Sequence, residues 1–494
     1  MPDHSSTPRN VFRESNLSLT LLAKDTVFYG VISGLSRLST LLLVPILTRA
    51  LSPHDYGVVD TAMMFSTLAL LIANAGLDSS IMYHYHNIGG EERTSFVTTG
   101  LWLRTSFGVL VTSVCVLSAP VFTRIVFDSE ENVFWMILAF LIVPFTLVVT
   151  YALDVLRVEH SRRWFFVASV CRIGLLLLVT VLVFNRPGGN VEGFLVARVI
   201  PEIAVGVLLV ILMFTRHGGF PFSTASARRL LRYGLPFVPA AVMYWLLSFV
   251  DRGFLYNNGY SSEVGHYALA NKFGMVVLLF ATSVQMAFFP YSMAVKGHDL
   301  SRDFYARAFS LTMCSAIILV LFLTVNLSWL VPFVGGEGYL SAIRPAGMLI
   351  LSSLFYVAYV FFSTGMNVGE KTSFNLISFG CSLIAAVVAC AIFVPRYGTV
   401  GAAVAVGVAN ATLAMSAFIL SQKVHHVPYR LEKFAVVFTG LILFSIVWSF
   451  GDAGPVVGNI VFVAVVAPLS RFLLEKDEFG RILSRARLFK TNIT

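Results

Sequence analysis

TVFYGVISGLSRLSTLLLVPILT, residues 26–48, is an uninterrupted run of 23 residues whose only charge, Arg37, falls near its centre. About 20 apolar residues cross the hydrocarbon of a bilayer as a helix, so the run is long enough to span. Runs of this kind recur near 57–77, 97–119, 133–154, 164–184, 193–213, 234–255, 265–289, 305–330, 344–366, 374–394, 400–421, 434–450 and 455–474, giving about fourteen spans. None alternates apolar and polar residues with period two, which selects helices over a barrel. With 57% hydrophobic and only 12% charged residues in 494, the composition excludes a soluble globular protein. The sequence therefore predicts an all-α, polytopic membrane protein.

Lys and Arg are distributed unevenly among the connecting loops. With the N-terminus inside, about 24 of the 35 fall on the cytoplasmic side and about six on the outer side, the remaining five lying within spans. Both termini are thus predicted to be cytoplasmic, which requires an even number of spans. The tail carries Arg481, Arg485 and Arg487 and is expected to lie against anionic headgroups; the net charge of +9 needs no nucleic acid. The polar segment 1–24 lacks the features of a cleaved secretory signal. All five cysteines, Cys115, Cys171, Cys314, Cys381 and Cys390, fall within spans and without CxxC spacing, which argues against a disulfide framework or thiolate metal site. His84-Tyr85-His86 and His425-His426 read as interfacial loops rather than metal ligands, and neither a metal nor a cofactor is expected.

An internal repeat organises the chain. Tyr56-Gly57-Val58-Val59-Asp60-Thr61-Ala62 corresponds to Val264-Gly265-His266-Tyr267-Ala268-Leu269-Ala270 at an offset of 208, and Gly193-Phe194-Leu195-Val196-Ala197 to Gly401-Ala402-Ala403-Val404-Ala405 at the same offset. An offset of 210 matches Val158, Trp164 and Cys171 with Val368, Phe374 and Cys381. Six spans per repeat is even, so the two units enter the membrane in the same direction, and substrate is expected between them near the midplane. The boundaries are a cytoplasmic segment 1–24, a six-helix unit 25–214, a cytoplasmic connector 215–232 containing Gly218, Gly219 and Pro221, a second six-helix unit 233–422, two additional helices in 433–474 and a basic tail 475–494.

Further motifs punctuate these units: Pro45-Ile46-Leu47-Thr48-Arg49 followed by Asp55-Tyr56-Gly57; Tyr233-Gly234-Leu235-Pro236-Phe237-Val238-Pro239 followed by Asp251-Arg252; Gly265 to Lys272; and Tyr397-Gly398-Thr399-Val400-Gly401-Ala402-Ala403. In these the chain resembles the multidrug/oligosaccharidyl-lipid/polysaccharide (MOP) exporter superfamily and, within it, the Wzx-type O-antigen and polysaccharide flippases. The resemblance implies two six-helix bundles around a central cavity in a bacterial cytoplasmic membrane. It further implies alternating access and movement of a polyprenyl-pyrophosphate-linked oligosaccharide to the outer leaflet. Expected partners are that lipid-linked oligosaccharide, membrane lipids, and the polysaccharide polymerase and chain-length machinery.

Charges inside the spans are the candidate functional residues, because a guanidinium at mid-bilayer costs about 2.5–3.5 kcal/mol on insertion scales and normally faces a watered cavity or a partner. Arg37 has no carboxylate three or four positions away on its own helix, which favours cavity lining. For Arg198, Glu202 four residues on favours a pair within the helix. Arg104 lies near enough to a helix end to snorkel, and Arg172 is open between cavity and pairing. Asp251 and Arg252 on one helix and Asn271 and Lys272 on the next are either a gate or a tether for their hairpin. Asp60, Asp78 and Asp154 are acids capable of coupling to an ion or of simple pairing, Asp154 with Arg157. Pro236 and Pro239 mark either a bend or an ordinary helix entry.

The sign of these charges weighs on function. Cations outnumber acids inside the spans, which favours an anionic cargo over the cationic drugs of the related multidrug exporter branch, the alternative reading. The outer loops are all about 15 residues or fewer, too short for the catalytic loop of a membrane polymerase or ligase, so no enzyme is expected. No GxxxxGK[ST] motif supports ATP hydrolysis.

Overall fold

The computed structural model describes residues 41–85, 88–127, 131–185, 190–294, 301–368 and 373–429, with isolated positions 32, 34, 35, 39, 431, 432, 434, 436, 437 and 440. Arg37, most of the run 434–450, the run 455–474 and the basic tail lie outside these residues. The described chain is helical throughout: α1 (Leu41–Ala50), α2 (Pro53–Asn74), α3 (Leu77–His84), α4 (Gly90–Phe127), α5 (Val133–Val158), α6 (Arg162–Phe184), α7 (Val191–His217), α8 (Thr224–Gly234), α9 (Val238–Asn257), α10 (Val264–Ala294), α11 (Ser301–Gly335), α12 (Ile343–Val368) and α13 (Ser373–Val424). Ten described helices are long and apolar enough to cross a membrane. Backbone polar groups have no water to bond in hydrocarbon, and a helix satisfies them within itself.

Local sequence sets the helix ends. Ser52 caps α2 by accepting a hydrogen bond from the Asp55 amide at 3.1 Å, with Pro53 in the first turn, where its missing N–H is harmless. Asn190 accepts from Gly193 at 2.9 Å to start α7, and the left-handed Gly218 ends that helix. The 215–232 segment, read from its Gly and Pro as a connector, is mostly helical: α7 runs on to His217, and Ser223 caps α8. Pro236 lies in a 3-10 turn that joins α8 to α9, and Pro239 in the first turn of α9. Helix entry thus accounts for both prolines.

α13 is 52 residues long but contains a non-helical Gly398 at φ 55°, ψ −129°. Left-handed backbone of this kind is accessible to glycine at no Cβ cost. The chain folds back there, since the Ser382 hydroxyl donates to the Ala409 carbonyl at 2.8 Å across the two arms. One continuous helix assignment therefore holds two antiparallel spans, matching the runs 374–394 and 400–421.

Two groups of helices result. In the first, α2, α4, α6 and α7 surround α5; in the second, α10, α11 and α13 surround α12, and α9 packs on α13. They meet where α2 crosses α10 and α9. At the Pro53 end of α2 the crossing is glycine on glycine: a Cβ on Gly57 would lie 2.7 Å from the Gly265 nitrogen, and one on Gly265 would overlap the Pro53 carbonyl. Small residues at such a crossing permit the backbone approach that drives helix association in lipid. The Thr48 hydroxyl donates to the Val334 carbonyl at 2.8 Å and Arg49 to the Phe333 carbonyl at 3.1 Å, extending contact between the groups at this same end.

Candidate functional site

Between the two groups lies a cavity of about 380 Å³, lined from one side by α1, α2 and α7 and from the other by α9, α10, α12 and α13. Its charged wall is built by helix periodicity. Tyr56, Asp60, Met63 and Thr67 recur at three- and four-residue spacing on α2, as do Tyr244, Ser248, Asp251 and Arg252 on α9 and Lys272 and Met275 on α10; all face this space.

Asp60 is the centre of the network. One carboxylate oxygen accepts from Arg252 Nη2 at 2.9 Å and the other from Lys272 Nζ at 2.7 Å, so a single acid of the first group holds two cations of the second. Arg252 is 2% exposed and Asp60 10%; both are withdrawn from bulk water. Asp251 braces the arrangement: its Oδ1 stands 3.7 Å from Arg252 Nη1, and its Oδ2 accepts from the Tyr267 hydroxyl at 2.6 Å. Arg252 also lies over the Tyr267 ring, 5.6 Å from its centroid. Two neutral bonds flank the network between the same groups: Thr61 Oγ1 and the Tyr256 hydroxyl are 3.0 Å apart, and Trp245 Nε1 donates to the Met64 carbonyl at 2.7 Å.

Arg198 enters the cavity from α7, one turn after Phe194, which lines the same wall. It forms no ion pair or hydrogen bond with any described residue. Glu202, the partner expected for it within the helix, instead receives Arg172 from α6, through Nε at 2.9 Å and Nη2 at 2.6 Å. Glu202, one turn from Arg198 on α7, still acts on it through its charge, but accepts its hydrogen bonds from Arg172. The consequence is a cavity whose formal charges are three cations, Arg198, Arg252 and Lys272, against two carboxylates.

The other sequence candidates are placed elsewhere. Arg104, 2% exposed, is enclosed between α4 and α5, 3.6 Å from Asp154 and donating to Thr150 Oγ1 at 3.2 Å; it neither snorkels nor lines the cavity. Asp154 also lies 4.0 Å from Arg157, as its spacing suggested. Asp78 accepts from Asn74 at 3.0 Å one turn away. Asp251–Arg252 and Lys272 come together as adjacent-helix charges, but the acid linking them is Asp60, from the other group. Residue spacing missed that link because it depends on where α2 crosses α10. Asp60 and Lys272 stand one and two turns past Gly57 and Gly265, so the meeting of those glycines would have revealed the pair.

Residues 22–296 match the model of a family described as polysaccharide biosynthesis protein. The chain is 23% identical over 394 residues to the Lsg locus putative protein 1 of Haemophilus influenzae, an alignment covering 76% of this chain and 94% of that protein. Its fold is similar to that of the lipid II flippase MurJ in an inward closed conformation, with a TM-score of 0.70 at 15% identity over 94% of this chain and 99% of the other. It is also similar to an inward-facing multidrug resistance MATE family transporter of the MOP superfamily, with a TM-score of 0.66 at 14% identity over 83% and 96%. The chain belongs to the polysaccharide biosynthesis protein family, and its membrane-length helices are arranged in a fold similar to that of those two transporters.

Proposed function

We propose that this protein is a flippase that carries a polyprenyl-pyrophosphate-linked oligosaccharide through the cavity between its two helix groups, for assembly of a surface polysaccharide. The observation that carries the reading is Arg198, a cation inside that cavity with no ion-pair partner among the described residues. A charge kept unpaired at such depth is costly, and an arginine fork is suited to phosphate oxygens. The family's role in polysaccharide biosynthesis and the fold likeness to a lipid II flippase support the same cargo class. Arg37, outside the described residues, is our second candidate cation on the strength of the sequence, seven residues before the cavity-lining Val44. Lys272 and Arg252 become available to an anion when Asp60 releases them. Arg104 and Arg172, each paired with its own carboxylate, hold the first group together.

The architecture that goes with this function is a duplication: six-helix units at 25–214 and 233–422, a connector at 215–232, and two further helices in 433–474, fourteen in all. The meeting of Gly57 with Gly265, positions equivalent under the 208-residue offset, supports a two-fold axis along the membrane normal. With both termini cytoplasmic in a bacterial inner membrane, the Pro53 end of α2 faces outward. Asp60 with Arg252 and Lys272 then acts as the outer latch of an alternating-access cycle, closed while the cavity loads from the cytoplasm.

The test is complementation of a cell lacking the chromosomal copy. Arg198→Glu protein, expressed and inserted at normal level, should yield no surface polysaccharide, and Arg198→Lys a reduced amount. Full polysaccharide output from Arg198→Glu would reject the reading.

A further inference from the structure

A second recess, of about 560 Å³, opens at the opposite end of the molecule from the Gly57–Gly265 crossing, where α3 meets α8; its walls include Arg228, Arg229, Arg232, His84 and Tyr233. Spacing places the three arginines together: 228 and 232 are four apart and 229 and 232 three apart, so all three share one face of α8. Ser226 and Leu230, on another face, are buried, Leu230 in the core that contains Leu77 and Ile81 of α3. α8 is thereby fixed, with its guanidiniums turned outward. Among the described residues one carboxylate pairs with them, Glu92, 3.1 Å from Arg229 Nη1. Arg228 and Arg232 pair with no described residue. His84 is held below the usual imidazole range by partial burial and by the Arg229 charge, so near neutral pH the positive charge of the recess resides in the arginines.

What surrounds these charges is apolar. Met82, Tyr83, Phe222, Leu235 and Phe237 are all exposed, and Tyr83 stacks on Tyr233 at 4.5 Å, with Phe237 5.6 Å from the same ring. A soluble anion has no use for such a rim. A lipid does: its phosphate lies immediately above acyl or prenyl chain, and aromatic side chains settle at that level of the bilayer. Guanidiniums supply charge-assisted bonds to phosphate, and the rim supplies contact for the chain.

We propose that the α3–α8 recess binds the phosphate-bearing head of a single lipid, at a site separate from the interhelical cavity and independent of the transport reading. Phosphatidylglycerol and a prenyl pyrophosphate share the required chemistry. α8 passes through the Leu235–Phe237 turn into α9, the helix that carries Asp251 and Arg252, so an occupant here bears on the same helix as the latch.

Native mass spectrometry of the purified full-length protein in detergent tests this. The probes are phosphatidylglycerol, farnesyl pyrophosphate, diacylglycerol as chain without phosphate, and inorganic pyrophosphate as head without chain. One or both phosphate-bearing lipids should bind, and the two partial probes much more weakly. R228Q/R232Q should weaken lipid binding roughly 30-fold, about fivefold per arginine, and R228K/R232K should retain most of it. Equal binding of the two lipids would identify bulk phospholipid as the occupant, and tenfold tighter farnesyl pyrophosphate a prenyl-linked one; each supports the site. Unchanged affinity in R228Q/R232Q protein that elutes like wild type, or inorganic pyrophosphate binding as tightly as the lipids, overturns it. If the double glutamine variant fails to elute, R228Q alone decides, with a fivefold loss expected and no loss refuting.

Discussion

Replacing Asp60 with Asn keeps the side-chain shape and removes the charge that joins the two helix groups. Lys272 then loses its 2.7 Å partner and Arg252 its 2.9 Å partner, though Arg252 retains Asp251 at 3.7 Å and the Ser248 carbonyl at 3.3 Å. Removing one member of a buried pair costs about 3–5 kcal/mol because the other charge is left uncompensated. Lys272, 16% exposed, has some access to water, which places the expected loss toward the lower figure. In the proposed cycle these bonds exist only while the groups are closed at this end, so their loss should shift the closed-to-open equilibrium. About 3 kcal/mol is roughly a hundredfold. A cysteine at Ser248, on the cavity wall, reports the shift in protein whose five native cysteines have been replaced. An impermeant thiol reagent applied to intact cells should label it roughly a hundredfold faster with Asp60→Asn than with Asp60. The reciprocal exchange Asp60→Arg with Arg252→Asp should restore slow labelling in part. Equal labelling rates in properly inserted protein would refute the latch and leave Asp60 as packing.

Other perturbations separate transport from stability. Arg172→Ala and Glu202→Gln should each lower the unfolding temperature in detergent, the double variant costing less than the sum of the two, because the second change removes the charge orphaned by the first; additive losses would show that the pair is uncoupled. Arg104→Leu should reduce yield and thermal stability, with Asp154→Asn in addition giving partial recovery, since a buried pair can be replaced by neutral groups far more cheaply than it can be halved. Gly265→Val places a branched side chain against the Pro53 carbonyl and should abolish transport while Gly174→Ala, in open space on α6, leaves it measurable. Arg37→Glu should lose transport with insertion intact, and Arg37→Lys recover part of it, read as surface polysaccharide.

The length of apolar runs made the long helices legible: α2, α4 to α7, α9 to α12 and both arms of α13 fall on runs that are long enough to span, and the α13 hairpin was visible as two runs even though a single helix assignment covers it. The helices extend beyond those runs, α4 from 90 to 127 against 97 to 119, because helix continues past hydrocarbon wherever the backbone is not stopped. The 215–232 connector holds a helix that its composition did not announce: Gly218 and Pro221 end and separate helices, and Ser223 caps a new one between them and the next span. For the site, spacing along one helix anticipates Asp154 with Arg157 but not the partners that come from other helices. It proposes Arg198 with Glu202, whereas the hydrogen bonds to Glu202 come from Arg172 on α6. Asp60's role depends on a crossing between residues 208 apart, which enters only through three-dimensional packing of Gly57 on Gly265.

The central claim is that the cavity carries an anionic lipid-linked sugar, and reconstitution tests it most directly. Purified protein in liposomes is supplied with a short-chain prenyl-pyrophosphate-linked saccharide, and the fraction reaching the opposite leaflet is read by an impermeant sugar-modifying enzyme. The account predicts protein-dependent transfer that Arg198→Glu eliminates, without transport of cationic dyes in either protein. Transfer unaffected by Arg198→Glu, or cationic dye movement in place of saccharide transfer, would contradict it.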